Sequence, residues 1–330
     1  MKKRLDLRDE PVLEPDLPII DAHHHMFDRP AARYLLDDIL DDCSLGHEIR
    51  ATVYIESQFA FDPAGPDHLR PVGETRFAAG IADACLARAA RTQVNAAIIG
   101  YADMTDARVG ETLEAHQAAG GGRFRGIRQV AMFDPAPAYR GYMFAPPPEG
   151  LLSHPDFPRG MAELARRGLS FDTAILHPQM AELARLADRC PDTQIVLNHL
   201  GFAYGLGHGD DVFDPWRRGL AQLAKRANVA VKIGGFGMPF WGFGFNDAPG
   251  PTDSRALAQT WRPWAETAIG LFGPDRCMME SNFPADGHSC GYVPLWNALK
   301  RITAGASAAE KRALYSGTAA RIYGIVLDGA

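Results

Sequence analysis

The stretch Pro18-Ile19-Ile20-Asp21-Ala22-His23-His24-His25-Met26 reads as a buried strand that ends in histidine. Pro18 and the apolar pair Ile19-Ile20 are strand-like, and successive side chains on a strand point to opposite faces. On that alternation His23 and His25 share a face with Asp21, and His24 points the other way. Two residues along a strand span about 6.6 Å. Two imidazoles at that spacing can lean onto one ion held at about 2.1 Å from each nitrogen. His-x-His at the end of a strand thus marks a metal or proton-handling site. The other reading of the same residues is a polar strand end packed by its neighbours. An affinity-tag remnant fits poorly, because the triplet is short, internal and flanked by an apolar run and Phe27.

Outward from this stretch, strand and helix alternate. Ala31 to Cys43 reads as a short helix, and further strands are predicted at Ile49–Glu56, Val94–Tyr101, Phe124–Met132, Leu169–Leu176, Gln194–Leu197, Val229–Ile233 and Arg276–Ser281. Between them helical patterns cover residues 71–90, 105–119, 157–167, 179–189, 215–227 and 254–272. Two more, 293–303 and 307–323, close the chain, the last opening on Ser307 and Glu310 at capping-box spacing. Eight such units argue for parallel strands joined by crossovers, and so for a (β/α)8 TIM barrel, an α/β fold, over an open doubly wound sheet. No GxGxxG follows the first strand, which weakens the dinucleotide-binding alternative. With no internal repeat or linker, residues 1–330 are expected to form a single domain with long loops on the catalytic face. The barrel core runs from about residue 18 to about residue 304.

Composition limits the partners. Of 330 residues 46% are hydrophobic, ample for a core, and the net charge of −6 argues against nucleic acid or an acidic membrane surface. No run approaches the roughly 18 apolar residues of a membrane-spanning helix. The five cysteines are scattered and never spaced Cys-x-x-Cys, and the N-terminus turns acidic at Asp6 where a signal peptide would become apolar. Both point to a reducing, cytoplasmic setting. The expected partner is a small-molecule substrate, and a homo-oligomer is left open.

In a barrel of this kind the site lies at the C-terminal ends of the strands. His23 and His25 end the first strand, Glu56 the second, Asp103 the third, His177 the fifth and His199 the sixth, while Glu280 and Asn282 end the eighth. A single histidine after a strand is usually a capping or packing residue. Four at three equivalent ends converge on one mouth. Arg125 and Arg128 lie on the fourth strand with opposite parity, so at most one faces the site. Arg128 is the candidate for holding a substrate carboxylate, a salt bridge to a neighbouring helix being the other reading. Lys232, in the seventh strand, is placed to pair with Glu280. Tyr142, Trp241 and Phe243, in glycine- and aromatic-rich loops, would offer stacking surface to a ring, or cover the barrel mouth or a subunit interface.

These features resemble the amidohydrolase superfamily, and within it the lactonase-like branch that contains L-fuconolactonase, sulfomuconolactonase and pyrone-dicarboxylate lactonase. The resemblance rests on Ile20-Asp21-Ala22-His23-His24-His25, Phe124-Arg125-Gly126-Ile127-Arg128, His177-Pro178, Asn198-His199-Leu200-Gly201, Val231-Lys232-Ile233-Gly234-Gly235 and Glu280-Ser281-Asn282-Phe283-Pro284. It implies His23, His25 and His177 as ligands of one divalent metal, zinc foremost, and His199 as an acid/base or oxyanion partner. The family's eighth-strand aspartate, a ligand and base, is replaced by Asn282, whose neutral amide is a weaker ligand and accepts no proton from water. Glu280 and Asp286 are the replacement candidates. The implied activity is hydrolysis of a cyclic ester, a sugar lactone or a carboxylate-bearing lactone. A metal-dependent decarboxylase or hydratase of small unsaturated acids is the alternative on the same scaffold, and a non-catalytic ligand-binding barrel the third.

Overall fold

The computed structural model describes residues 10–30, 32–135, 146–203, 211–248 and 252–327. Eight strands pair in parallel in chain order: β1 (Ile19–His24), β2 (Ile49–Ile55), β3 (Gln93–Gly100), β4 (Phe124–Arg128), β5 (Ser170–Thr173), β6 (Ile195–Leu197), β7 (Val229–Ile233) and β8 (Cys277–Met279). The sheet curls back on itself through the bridge between His24 and Phe283. His25 N donates to Phe283 O at 2.8 Å and Asn282 N donates to His23 O at 2.9 Å, so the last residues of β1 meet the chain just beyond β8. The result is a (β/α)8 barrel, as expected from the sequence.

Around it run α1 (Leu36–Cys43), α2 (Val72–Ala87), α3 (Val109–Ala119), α4 (Phe157–Arg166), α5 (Met180–Arg189), α6 (Phe213–Ala224), α7 (Ser254–Phe272) and α8 (Tyr292–Ile302). The final helical stretch is α9 (Ala308–Arg312), a π-helical turn at Ala313–Gly317, and α10 (Thr318–Tyr323). Ser307 caps it with the expected box, Glu310 N donating to Ser307 Oγ and Ser307 N to Glu310 Oε2. Among the described residues no helix is long and apolar enough to cross a membrane.

Strand alternation divides the core into two layers. Inside the barrel, Ile20, Ala22, Ala51, Val53, Ile55, Ala97, Ile99, Val196, Ala230 and Met278 pack together, and α10 plugs the lower end with Ala319 and Tyr323. The opposite strand faces meet the helices. Small inward residues make room for the charged layer above them. At Gly126 a Cβ would stand 2.4 Å from the carbonyl oxygen of Ser170.

Two expectations are corrected here. Of the helix predicted from Ala31 to Cys43, only Leu36–Cys43 is helical; Ala32–Tyr34 is a short strand paired antiparallel with Phe27–Arg29. Leu36–Cys43 presents an amphipathic helical face, Leu36, Ile39 and Cys43, to the core. Asp21 does not share a face with His23 and His25. A register shift between Asp21 and His24 breaks the alternation. Asp21 turns to Ser281 and Tyr292, on the helix side, and the imidazoles turn into the barrel mouth.

Candidate active site

At the C-terminal mouth one carboxylate joins two imidazoles. Glu280, just past β8, sets Oε1 2.7 Å from His199 Nδ1 and Oε2 3.1 Å from His23 Nδ1. Donor atoms of His23, His199 and Glu280 all lie within 4.8 Å of one another. His25 follows on the same side, its Nε2 3.1 Å from His23 Nε2 and its Nδ1 2.9 Å from the carbonyl oxygen of Ile55. That carbonyl can only accept, so His25 carries its proton on Nδ1 and its Nε2 is a lone pair. All of these groups are buried.

Local backbone shape makes the arrangement possible. His199 and Leu200 adopt left-handed conformations, φ 52° and 57°, which swing the His199 ring across the mouth rather than along β6. Gly235 has φ +66°, and a Cβ there would stand 2.4 Å from His199 Nδ1. At Gly234 a Cβ would stand 2.3 Å from Glu280 Cγ. These two glycines after β7 are the cradle in which the Glu280–His199 pair sits.

Arg128 enters from β4. Its Nε donates to Glu56 Oε1 at 2.7 Å, Nη2 donates to the main-chain oxygen of Glu56, and Nη1 stands 3.4 Å from His23 Nε2. Arg125, of opposite parity, lies away from the site and donates to the carbonyl oxygens of Tyr323 and Gly122. Lys232 does not pair with Glu280 as expected. Its Nζ lies 2.8 Å from Asp172 Oδ2 in a fully buried ion pair, because β5 and β7 point both side chains inward. Asp172 also accepts from Tyr323 OH at 2.7 Å and Asn198 Nδ2 at 3.3 Å. The sequence reading missed Asp172. An acid at an inward position of a short apolar strand was the available signal.

Burial governs the titrations. Glu280 is pushed up to about 8 by desolvation, with Lys232 pulling the other way. His23, His25 and His199 are all held well below the usual imidazole range by burial. The charges of Lys232 and Arg128 add to this for His23, and that of Arg128 for His25. For His199 they act in the order Arg128, Lys232. The rings are therefore neutral at pH 7.

The remaining candidates fall around this centre. Asn282 (φ 53°) donates through Nδ2 to Asp286 Oδ1 at 2.8 Å, and Asp286 Oδ2 accepts from Gly237 N, also at 2.8 Å. Asp286 thus staples the loop after β7 to the loop after β8. Trp241 is buried; its Nε1 donates to Gly235 O at 3.0 Å and its ring packs on Phe202, which lies 5.0 Å from His199 between ring centroids. β5 ends at Thr173, and three residues of irregular chain carry His177 onto a 3-10 turn, where it is half-buried and donates its backbone N–H to Phe202 O. It is not among the donors grouped around Glu280. Tyr142 lies outside the described residues.

Residues 20–325 match the amidohydrolase family. The chain belongs to that family. Relatives of this amidohydrolase include the protein y4mH of Sinorhizobium fredii, 34% identical over 93% of this chain and 99% of the other. L-fucono-1,5-lactonase of Burkholderia multivorans is 25% identical over 93% of this chain and 96% of its own. Among solved structures, a zinc-bound amidohydrolase from Burkholderia multivorans superposes with a TM-score of 0.70 at 23% identity, over 93% of this chain and 99% of that one. That last likeness concerns the fold.

Proposed function

We propose that this amidohydrolase opens a small cyclic ester at the mouth of its barrel, with His199 moving the protons. The observation that carries the reading is the Glu280 carboxylate set between Nδ1 of His199 and Nδ1 of His23. With Glu280 ionised, both ring N–H groups point at it, and Nε2 of His199 is left as a base. A water held on that lone pair gives up its proton as its oxygen attacks the ester carbonyl. The bond from the acyl carbon to the ring oxygen then breaks, and the imidazolium returns the proton to the leaving alkoxide. Arg128 offers Nη1 to the oxyanion that develops on the way.

The same contacts bear on the substrate. Arg128 turns its Nε–Nη2 edge to Glu56, whose carboxylate already balances its charge. Lys232 is neutralised by Asp172. Both favour an uncharged ring, a sugar lactone, over a carboxylate-bearing one, and the similarity to L-fucono-1,5-lactonase runs in the same direction.

The residues also suit a divalent cation. With Glu280 ionised, Nε2 of His23 and Nε2 of His25 are lone pairs 3.1 Å apart. Two ligand nitrogens on one ion stand about 3.0–3.4 Å apart at octahedral to tetrahedral angles. Those two nitrogens would hold the cation, zinc foremost, and it would supply Lewis-acid polarisation and a more acidic water.

The test is a panel of neutral and carboxylate-bearing lactones followed by pH indicator, on protein as purified, chelator-treated and zinc-reloaded, with elemental analysis of each. Acid release should be fastest with an uncharged sugar lactone. Release of CO2 from unsaturated acids without lactone turnover would replace this reading with decarboxylation. Lactone binding without product would leave a non-catalytic barrel.

A further inference from the structure

Glu74, in the first turn of α2, is buried on the far side of β2 from the imidazoles. Its Oε1 accepts from Ser57 N at 2.7 Å, Tyr54 OH at 2.8 Å, Ser57 Oγ at 3.1 Å and Phe59 N at 3.3 Å. Its Oε2 is buried and has no hydrogen-bond partner. The donors belong to β2 and the turn that follows it, where Gln58 and Ala60 are left-handed, φ 56° and 55°. Such a turn holds its shape only when its surroundings over-determine it. Arg29 grips the same turn from the other side, Nη2 donating to Ser57 O at 2.5 Å and Gln58 O at 3.3 Å. Helix and turn are in close contact, since a Cβ at Gly73 would stand 2.5 Å from the carbonyl oxygen of Ala60.

Glu56 sits at the start of this turn and holds Arg128 by both its carboxylate and its carbonyl. Arg128 in turn faces His23. We infer that Glu74 is a positioning residue for the reaction: by fixing residues 57–59 it fixes Glu56, and through Glu56 the direction in which Arg128 presents Nη1. The kinetic half of this inference rests on the hydrolase reading above. The structural half does not.

Two variants separate acceptor geometry from packing. In Glu74→Gln the Oε1 acceptor is kept and the amide nitrogen takes the place of the partnerless Oε2. Burial already pushes Glu74 up to about 7, so a neutral group there is a modest change. Glu74→Leu keeps the volume and removes every acceptor. The first readout needs no substrate: the Arg128 Nε–H signal in a 1H–15N spectrum, identified by its loss in Arg128→Lys. It should be slow to exchange in the wild type and in Glu74→Gln, and fast or missing in Glu74→Leu. The second is lactone turnover. Glu74→Gln should stay within about twofold of wild-type kcat, and Glu74→Leu should lose about tenfold or more in kcat with KM within about threefold. Should Glu74→Leu fail to fold, Glu74→Asp, which withdraws the oxygen by one methylene, takes its place with the same two readouts.

An unchanged Arg128 signal in the acceptor-free variant overturns the inference, and so does a Gln variant as slow as the Leu variant. A wild type silent on every lactone, with the Arg128 contrast intact, counts against the hydrolase reading alone.

Discussion

At the scale of single residues, the proposed reaction rests on Glu280 and His199, and their coupling has a direction in pH. Below about 8 Glu280 keeps its proton and donates it in a hydrogen bond to His199 Nδ1, so the neutral His199 ring carries its hydrogen on Nε2, which is then a donor. Above that value the carboxylate is ionised, His199 donates through Nδ1, and Nε2 becomes the base. Turnover of the metal-free protein should therefore rise as pH passes through 8, and a rate flat from about pH 6 to 9 would remove Glu280 from the proton chain. Replacing His199 by Ala should lower kcat by about a hundredfold or more, since both the base and the group that protonates the alkoxide go together. Wild-type turnover in that variant would move the chemistry elsewhere. Among the candidates, His23, His25, His199 and Glu280 were legible because each stands at or just past the end of an apolar strand, and Arg128 because its parity on the fourth strand opposes that of Arg125. Asp172 was overlooked, its one signal being an acid within a short apolar strand.

Among the elements, the chain after β7 is the one on which the site depends most. Gly234 and Gly235 leave room for Glu280 and His199, and Gly235 lies in the left-handed region as well. Gly235→Ala should cost about 2 kcal/mol or more in stability, from backbone strain and a contact with a ring that has no space to retreat. It should also reduce kcat toward the level of His199→Ala. A matched control is Gly80→Ala in α2, where an added Cβ meets nothing within 4 Å. That change should stabilise by about 0.5–1 kcal/mol in urea unfolding and leave kcat unchanged. Similar losses in both would mean that the cradle is not special. The bulge in β1 belongs to this scale too. Alternation alone places Asp21 beside His23, and only pairing with β2 reveals the slip that separates them.

For the whole molecule, the burial of so many ionisable groups sets the pH at which the fold is firmest. His24 and His47 are held down to about 3 and His116 to about 4, all mainly by burial. Unfolding lets these rings take up protons below about 6.5, so their contribution to stability is lost as pH falls below that value. Burial raises Asp21 to about 6, Glu74 to about 7 and Asp286 to about 8. These groups hold protons in the folded chain that the unfolded chain releases above about 4.5, so their contribution is lost as pH rises toward 8. The two slopes oppose each other, and Tm of the metal-free protein should peak near pH 6 and decline on both sides. A Tm that climbs steadily from about pH 6 to 8 would contradict the buried, protonated carboxylates.

What the sequence determined by itself was the periodic part. Eight apolar strands alternating with helices specify a parallel barrel, and a barrel brings its strand ends to one mouth whatever the details. Hydrophobic alternation is a local, repeated signal, which is why α7 begins at Ser254 and ends at Phe272 as predicted. The partnerships were decided only by the tertiary structure. Lys232 chose Asp172, Arg128 chose Glu56, and Glu280 took two histidines from different strands, because ion pairs form between side chains that closure brings within about 3 Å of each other. That proximity depends on the register and inward pointing of distant strands, which no single segment encodes.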